Sequence, residues 1–320
     1  MRDAAPRVSV VIRSHKRLGA LAELLERVLE QDHDSFEVVV VEQTPDPTAG
    51  ELARLAAFVE DPRVTVLRRP PLGGPAARNE GVLSSRGHIV LMIDDDDLPL
   101  GRDWIAAHDE AYRSDPDLIG LSCRMVREIG EDSPYLELMR PFIRRACMSY
   151  SVLMTPYTFA RFDEDVEVVG WLHGSNASFV REVGLRAGLW DTSVRSSDEH
   201  SFAFKCHRIM TGKQHFAYRA YPIALQRLDI RGGMDKRFVT VGSELRNNLG
   251  YCHRIVGRYH PVRFHAAYPA YIGWTLGKTF TWVWDPGRRH IGTLERIKVC
   301  AEMILDLPGV VREVRAESRP

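Results

Sequence analysis

The sequence HIVLMIDDDD occupies residues 88–97. Its first part is apolar at nearly every position, which is typical of a parallel strand buried on both faces. Four carboxylates, Asp94 to Asp97, follow that strand directly. Ligands of parallel α/β sheets bind beyond the carboxyl ends of the strands, so this topology would bring the four acids to a binding site.

Strands and helices alternate around this run. Apolar segments at residues 8–12, 36–41, 64–67, 118–125 and 175–180 predict further strands. Apolar residues at three- and four-residue spacing, or helix start and stop signals, predict helices at 16–31, 48–60, 75–85, 102–114 and 198–210. This alternation predicts an α/β fold with a Rossmann-like, mostly parallel sheet flanked by helices.

The charge of the chain is unevenly distributed. The 320 residues carry 43 basic and 43 acidic side chains, and 44% of them are hydrophobic. These values exclude a disordered chain, and the neutral total argues against nucleic acid as a partner. Residues 1–230 hold 28 basic and 35 acidic residues, whereas residues 231–320 hold 15 and 8. We expect two halves, at 1–125 and 126–230, followed by a basic, aromatic-rich, mainly helical region at 231–320.

The cysteines and the apolar segments predict a cytoplasmic protein. The five cysteines form no C-x-x-C pair, so neither a disulfide framework nor a zinc site is expected. The N-terminus has only a five-residue apolar run before Arg13, too short for the core of a signal peptide. The longest stretch of low charge, near residues 264–277, is interrupted by Pro269, Gly273 and Gly277 and is too short for a membrane span.

The acidic run suggests a cation site. Four adjacent acids repel one another, and a hard divalent cation would offset that repulsion. In an extended turn Asp94 and Asp96 would point the same way and could share a cation and its attached phosphates. The alternative is an acidic loop that caps the next helix through Asp97 or Asp103.

Two other strand ends carry polar residues toward the same edge. Arg13-Ser14-His15-Lys16-Arg17 follows the first strand, and Glu42-Gln43-Thr44-Pro45-Asp46 follows the second. An imidazole, a hydroxyl, an amide and a carboxylate are suited to holding a base and a ribose. Each segment alone is weak evidence, because polar residues at strand ends are commonly solvated.

The order of these parts resembles the inverting glycosyltransferases of glycosyltransferase family 2, which have the GT-A fold. The matching segments are VSVVIRSHKR, FEVVVVEQTPDPT, GGPAARNEGVLSSRGHIVLMIDDDDLP, GSNASFVREVG and SDEHSFAFK, which lie between residues 8 and 212. The resemblance implies a transfer of sugar from a nucleoside diphosphate to an acceptor hydroxyl. It implies Mn²⁺ or Mg²⁺ on Asp94 and Asp96, and a catalytic base from Asp198-Glu199. Donor contacts are expected from Ser14, His15, Arg17, Glu42, Gln43, Arg78, Asn79, Asp94 and Asp95.

Departures from the family pattern leave the donor open. The chain has Arg13-Ser14-His15-Lys16 where Pro-Thr-Tyr-Asn is usual, and Glu42-Gln43 where two aspartates are usual. Because the Gln43 amide can both donate and accept hydrogen bonds, UDP-, dTDP- and GDP-linked donors all remain candidates. The acidic pair is Asp-Glu rather than Glu-Asp, so Glu199 takes the usual place of the base. We therefore favour Glu199 over Asp198 as the base, with the other residue capping its helix.

Several residues have a structural alternative. Arg78 and Asn79 suit a hydrogen-bond centre as well as a donor contact. Trp171, His173 and Asn176 precede the acceptor-side strand, and a half-buried histidine is the simpler interpretation of His173. The segment 227–231 suits either a mobile flap over the diphosphate or a solvated loop.

Two other functions fit the acidic run. A nucleotidyl- or phosphotransferase would need a Gly-rich phosphate loop, which RSHKRLG after the first strand lacks. A non-catalytic nucleotide-sugar-binding module would not need Asp198 and Glu199.

Region 231–320 suits an anionic membrane surface or a lipid-linked acceptor at the inner face of the membrane. It equally suits a helical cap whose aromatic residues form a core or a homodimer contact, and we favour the cap.

Overall fold

The structure is a computed structural model. It describes residues 5–127, 141, 145–152, 154, 156, 162–194, 197–227, 250–266, 268–270, 272–273 and scattered positions from 298 to 312. The chain divides into two compact units, one of residues 1–150 and 156–234 and one of residues 151–155 and 235–320. The expected donor half, 1–125, lies in the first unit, and so does the expected acceptor and catalytic-base half, 126–230, except for residues 151–155.

The first unit begins with a parallel block of four strands. Its elements are β1 (Val8–Ser14), α1 (Leu18–Leu29), β2 (Phe36–Glu42), α2 (Ala49–Val59), β3 (Val64–Arg68), α3 (Gly74–Ser84) and β4 (Ile89–Asp94). These strands pair in parallel in the order β3-β2-β1-β4. The apolar runs of β1, β2 and β4 are buried, and α1 packs Leu21, Leu25 and Val28 against them. A capping box between Thr48 and Glu51 fixes the start of α2.

The sheet becomes mixed beyond β4. The remaining elements are β5 (Asp97–Pro99), α4 (Trp104–Ser114), β6 (Leu118–Arg127), β7 (Val166–Val169), β8 (Ala177–Val180), α5 (Arg181–Ala187), α6 (Asp198–Ile209) and β9 (His215–Gln226). Strand β8 runs antiparallel to both β4 and β6. The order is β3-β2-β1-β4-β8-β6-β9-β5, with β7 on β9. The predicted α/β fold with flanking helices is confirmed, and its parallel part is the first block together with the β6–β9 pair.

Three strands run further than the sequence predicted. The ladder includes Arg13 and Ser14 in β1, Glu42 in β2 and Asp94 in β4. The apolar pattern stops at these residues, but backbone pairing does not depend on it. Polar side chains are therefore fixed on the strands themselves rather than on loops.

The described part of the second unit is mainly helical. A π-helical turn at Cys252–Val256 continues into a short helix at Gly257–Tyr259. Tyr251 and Tyr259 are buried, and the Tyr251 hydroxyl donates to the Met154 carbonyl at 2.7 Å. The aromatic residues Tyr271, Trp274, Phe280, Trp282 and Trp284 lie outside the described residues.

None of the helices in the described ranges has both the length and the apolar composition needed to cross a membrane.

Candidate active site

The acidic run forms a tight turn between two strands. Asp94 ends β4, Asp95 and Asp96 make the turn, and Asp97 begins β5. The side chains of Asp94 and Asp96 are each 23% exposed, whereas Asp95 and Asp97 are buried. This alternation is the one expected of an extended turn. Asp103 makes no side-chain cap on α4, and Asp97 accepts a hydrogen bond from Ser175, so the helix-capping alternative does not fit.

Three carboxylates of this turn can converge on one point. Asp94, Asp96 and Asp97 each offer a carboxylate oxygen, and these oxygens lie within 4.8 Å of one another. Carboxylate oxygens are the ligands that Mg²⁺ and Mn²⁺ prefer. The turn therefore fits a hard divalent cation, with Asp97 added to the two residues expected from the sequence.

Two arginines from the end of β1 neutralise part of the turn. Arg13 Nε lies 3.0 Å from Asp94 Oδ1, and its Nη2 lies 3.3 Å from Oδ2. Arg17 Nη1 lies 3.1 Å from Asp95 Oδ1 and 2.7 Å from Asp96 Oδ2. Burial raises the pKa of Asp95 to about 6, although Arg17 and a hydrogen bond from Ser14 oppose the rise. Arg17, expected as a donor contact, is an ion-pair partner of the turn.

Arg227 holds the backbone of the same turn. Its Nε lies 3.3 Å from the Asp96 carbonyl, its Nη2 3.4 Å from the Asp95 carbonyl, and its Nη1 donates to Glu23. Arg227 is buried. It is therefore neither a solvated residue nor part of a free flap, and residues 228–231 lie outside the described residues.

The β1 and β2 ends meet at the same edge, as predicted. Ser14 Oγ donates to Asp95 at 2.7 Å, and the His15 ring bonds the Gln43 carbonyl at 3.0 Å through Nδ1. Gln43 Oε1 accepts from the Leu72 amide at 2.8 Å, and buried Glu42 accepts from the Thr44 amide at 2.5 Å.

These contacts occupy the carbonyl side of Gln43 and one ring nitrogen of His15. The Gln43 amide NH₂ and His15 Nε2 are then the groups left to meet a base.

Arg78 connects the acidic turn to the acid pair on α6. Its Nη1 donates to Asp198 and lies 3.5 Å from Glu199 Oε1, while its Nη2 lies 4.0 Å from Asp94 Oδ1. The Arg78 side chain is only 3% exposed. A Cβ on Gly174 would lie 2.6 Å from both Arg78 Nη2 and Glu199 Oε1, so glycine is what permits this approach.

The two acids have different electrostatic surroundings. Burial raises the pKa of Asp198 to about 6, the charge of Glu199 adds to the rise, and Arg78 opposes it. Burial also acts to raise the pKa of Glu199, but Arg78 and the Glu199 backbone N–H outweigh it and lower the pKa. Glu199 is also the more exposed of the two side chains, at 24% against 9%. An ionised, accessible Glu199 suits a proton acceptor better than Asp198 does.

Three predicted contacts have structural roles instead. The Asn79 amide bonds the Trp190 backbone twice, each at 2.9 Å. Trp171 is buried against the His200 ring. Asn176 is wholly buried, so an acceptor contact there does not fit. Its amide bonds Trp104 Nε1, His108 Nε2 and the carbonyls of Arg124 and Pro222.

His173 is half-buried, and its ring bonds the Ser175 carbonyl at 2.9 Å. This is the satisfied half-buried histidine that we considered the simpler interpretation.

The sequence pattern assigned no role to Arg13 or Ser175, and it offered Asp97 as a helix cap rather than as a cation ligand. The missed signal for Arg13 was the register of β1 on β4, which pairs Arg13 with Asp94.

Known proteins share this sequence pattern and this fold. The family model described as "Glycosyl transferase family 2" matches residues 9–183. A glucosyl-dolichyl phosphate glucuronosyltransferase of Haloferax volcanii is 28% identical over 199 residues, which are 61% of this chain and 59% of that protein. Matches cover only 14% to 59% of the length of the first three curated relatives.

Solved structures show the same architecture. A mannosyltransferase from Pyrobaculum calidifontis in complex with GDP-Man and Mn²⁺ aligns with a TM-score of 0.54 at 19% identity, covering 99% of this chain and 85% of that one. S. aureus TarS 1–349 in complex with UDP-GlcNAc aligns with a TM-score of 0.58 at 13% identity, covering 98% and 88%. These likenesses establish the GT-A fold, and because the family model covers more than half of the sequence, this chain belongs to glycosyltransferase family 2.

Proposed function

We propose that this glycosyltransferase moves a hexosyl group from a nucleoside-diphosphate sugar to an acceptor hydroxyl in one in-line displacement that inverts the anomeric centre. The observation that carries the proposal is the meeting of two acidic groups at one sheet edge. The acidic turn and the Asp198–Glu199 pair both lie within 4.0 Å of the Arg78 guanidinium. An inverting displacement needs a leaving-group site and a base on opposite sides of the sugar. The two acidic groups must therefore lie near each other, as they do around Arg78.

The cation in this proposal is Mn²⁺ or Mg²⁺. Asp94, Asp96 and Asp97 would hold it through the carboxylate oxygens that lie within 4.8 Å of one another. When bound, such an ion stabilises negative charge on a leaving diphosphate as a Lewis acid.

Glu199 is the proposed base. A carboxylate that is ionised at neutral pH can take the proton from the acceptor hydroxyl as it attacks. The lowered pKa of Glu199 keeps it ionised, and its partial exposure leaves it accessible to an acceptor. Asp198, buried in contact with Arg78, has the positioning role. With one base and no enzyme nucleophile, a single displacement gives inversion.

The donor would lie along the ends of β1 and β2. Ser14, His15, Glu42 and Gln43 line that edge, and the amide NH₂ of Gln43 can donate to a base carbonyl. Uracil, thymine and guanine each present such a carbonyl. Solved relatives of this fold bind UDP-GlcNAc and GDP-Man, so UDP-, dTDP- and GDP-linked donors are the candidates here.

A thermal-shift screen tests the donor and the cation together. Nucleoside diphosphates are titrated with and without Mn²⁺, because a ligand that binds only the folded state raises the melting temperature. We expect one base to stabilise the protein, and only when Mn²⁺ is present. Asp96→Ala should abolish that shift, whereas Asp32→Ala, a matched change at an exposed ion pair, should preserve it.

Product analysis tests the stereochemistry. Single-turnover reactions with donor and candidate acceptors, followed by NMR of the anomeric proton, should show an inverted product. No stabilisation by any nucleoside diphosphate, or a retained configuration, would contradict the proposal.

The acceptor side is proposed from region 231–320. We favour a helical cap that contributes acceptor or homodimer contacts over a peripheral membrane contact with a lipid-linked acceptor, because Tyr251 and Tyr259 are buried within their own unit. Co-sedimentation with anionic vesicles at low salt would favour the membrane contact instead, and sedimentation equilibrium would report a dimer.

A further inference from the structure

Arg13 is fixed opposite Asp94 by the sheet itself. Strands β1 and β4 pair in parallel, and their register places Arg13 beside Asp94. The guanidinium meets the carboxylate side-on, with Nε 3.0 Å from Oδ1 and Nη2 3.3 Å from Oδ2. Such two-point pairs are stronger and more directional than single contacts. Both oxygens of Asp94 are thereby engaged by one arginine.

The opposite edge of the same guanidinium is not engaged. Among the described residues, Arg13 Nη1 takes no part in a hydrogen bond. It lies over Gly74, where a Cβ would come within 2.5 Å of it. Arginine has five N–H donors, and the Asp94 pair uses two of them. The remaining donors are held in a fixed orientation at the edge of the acidic turn.

The charge of Arg13 reaches both acidic groups of the site. Burial acts to lower its pKa, but Asp94, Asp198 and Glu199 together raise it. Arg13 is therefore always protonated and lies within the field of both the turn and the acid pair. A diphosphate bound next to the turn would meet this cation.

Building on the proposed function, we propose that Arg13 binds the donor diphosphate and restrains cation binding at Asp94. Its two-point pair competes with a cation for both oxygens of Asp94. Its unengaged N–H groups donate to phosphate oxygens, which suit the planar fork of arginine. The same residue thus weakens binding of a cation alone and strengthens binding of a nucleoside diphosphate.

The proposal predicts changes of opposite sign in Arg13→Gln. Release of Asp94 should tighten binding of Mn²⁺ alone by about threefold or more. Loss of charge-assisted hydrogen bonds should weaken binding of the nucleoside diphosphate by about tenfold or more. Arg13→Lys keeps the charge but not the fork, so it should lie between wild type and Arg13→Gln in both measurements.

Two titrations test this directly. Mn²⁺ binding to the donor-free full chain is followed by the electron paramagnetic resonance signal of the free ion. UDP, dTDP and GDP are then titrated calorimetrically at saturating Mn²⁺. Arg54→Gln is the control, because Arg54 also pairs with one carboxylate, Glu26, but is exposed and lies outside the site. Melting temperatures show whether each variant is folded. If Arg13→Gln does not fold, the same two titrations of Arg13→Lys test the proposal.

The outcomes separate this inference from the proposed function. Opposite shifts in Arg13→Gln, with Arg54→Gln unchanged, support it. Weaker binding of both Mn²⁺ and the nucleoside diphosphate, or unchanged binding of both, overturns the role of Arg13 and leaves the proposed function intact. A wild-type chain that binds neither Mn²⁺ nor any of the three nucleotides overturns both.

Discussion

Replacing Arg78 with methionine removes one buried charge from the centre of the site. The side chain is 3% exposed, contacts Asp198, and lies 3.5 Å from Glu199 and 4.0 Å from Asp94. Methionine keeps most of the apolar length of arginine without its charge. The substitution therefore leaves the carboxylates in place and removes a cation that they share.

The expected loss of stability can be bounded in two ways. A unit charge about 4 Å from another contributes roughly 4 kcal/mol at an effective dielectric constant near 20, before the desolvation of arginine is subtracted. Removing one partner of a buried pair costs about 3–5 kcal/mol in measured cases. Asp198 can relieve part of this by taking up a proton, because its pKa is already about 6. At pH 7.5 that protonation costs about 2 kcal/mol.

The pH dependence has a definite sign. The folded-state pKa of Asp198 lies above the ordinary value of 3.8, so the folded state binds more protons than the unfolded state between about pH 4 and pH 6. Stability therefore falls as the pH rises through that window. Because Arg78 lowers the folded-state pKa of Asp198, its loss raises that pKa and the upper pH limit of the window. The variant should lose about 3–5 kcal/mol relative to wild type at pH 7.5, and about 2 kcal/mol less at pH 5.5.

Urea unfolding at pH 5.5 and 7.5 measures both quantities. The double variant Arg78→Met/Asp198→Asn should recover about 2 kcal/mol at pH 7.5, because one of the stranded carboxylates is gone. Arg113→Met is the control, since Arg113 is 59% exposed and its partner Asp109 keeps its contacts with Arg7 and His33, so only a small loss is expected. A loss below about 1 kcal/mol, or an equal loss at both pH values, would show that Arg78 does not hold the acid pair.

Three further changes test other parts of the site. Glu199→Gln should lower the single-turnover rate by about 10²- to 10⁴-fold with little change in donor affinity, whereas Asp198→Asn should retain more activity. Gly74→Ala should displace the guanidinium packed against it and tighten Mn²⁺ binding in the same titration, while Gly50→Ala, with no atom within 4 Å of its Cβ position, should not. Asn176→Ala should lower the free energy of urea unfolding by about 3 kcal/mol or more, because it leaves several buried polar groups without partners.

The first block of the sheet was predictable because its strands are buried on both faces. Before their polar ends, β1, β2 and β4 are apolar at every position except Ser9 and Glu37, which are both buried. Their ends were misplaced at Arg13, Glu42 and Asp94, where the side chains become polar while the backbone ladder continues.

Strand β9 was missed for the opposite reason. Residues 215–226 alternate irregularly between buried and partly exposed positions, because β9 contacts β6, β7 and β5 along different parts of its length. A period of two is lost when the neighbours of a strand change along it.

The candidate site also has a part that the sequence predicts and a part that it does not. Asp94 to Asp97 lie at the end of an apolar strand, and the Asp198–Glu199 pair begins a helix. Each group is contiguous in sequence, so both could be found there. The partners of those acids could not, because Arg78 reaches Asp198 across 120 residues and Arg13 reaches Asp94 across 81. Asn176 shows the reverse error: a polar residue next to a predicted strand suggested an acceptor contact, but burial among polar partners gives it a structural role.

The arrangement of charge bears on how an acidic site could bind the proposed anionic donor. Among the described residues, the turn and the acid pair hold six carboxylates, and three guanidiniums, those of Arg13, Arg17 and Arg78, form ion pairs with five of them. The formal balance of −3 attracts a cation and repels a diphosphate that arrives without one. Arg13 and Arg17 form ion pairs with the turn, and the charge of Arg13 also acts on Asp198 and Glu199, whereas Arg78 lies within 4.0 Å of both the turn and the acid pair. Under the proposed function, we therefore expect the charge at the turn to affect the proton affinity of Glu199 through Arg78 and Arg13, so that donor binding would be coupled to the strength of the base.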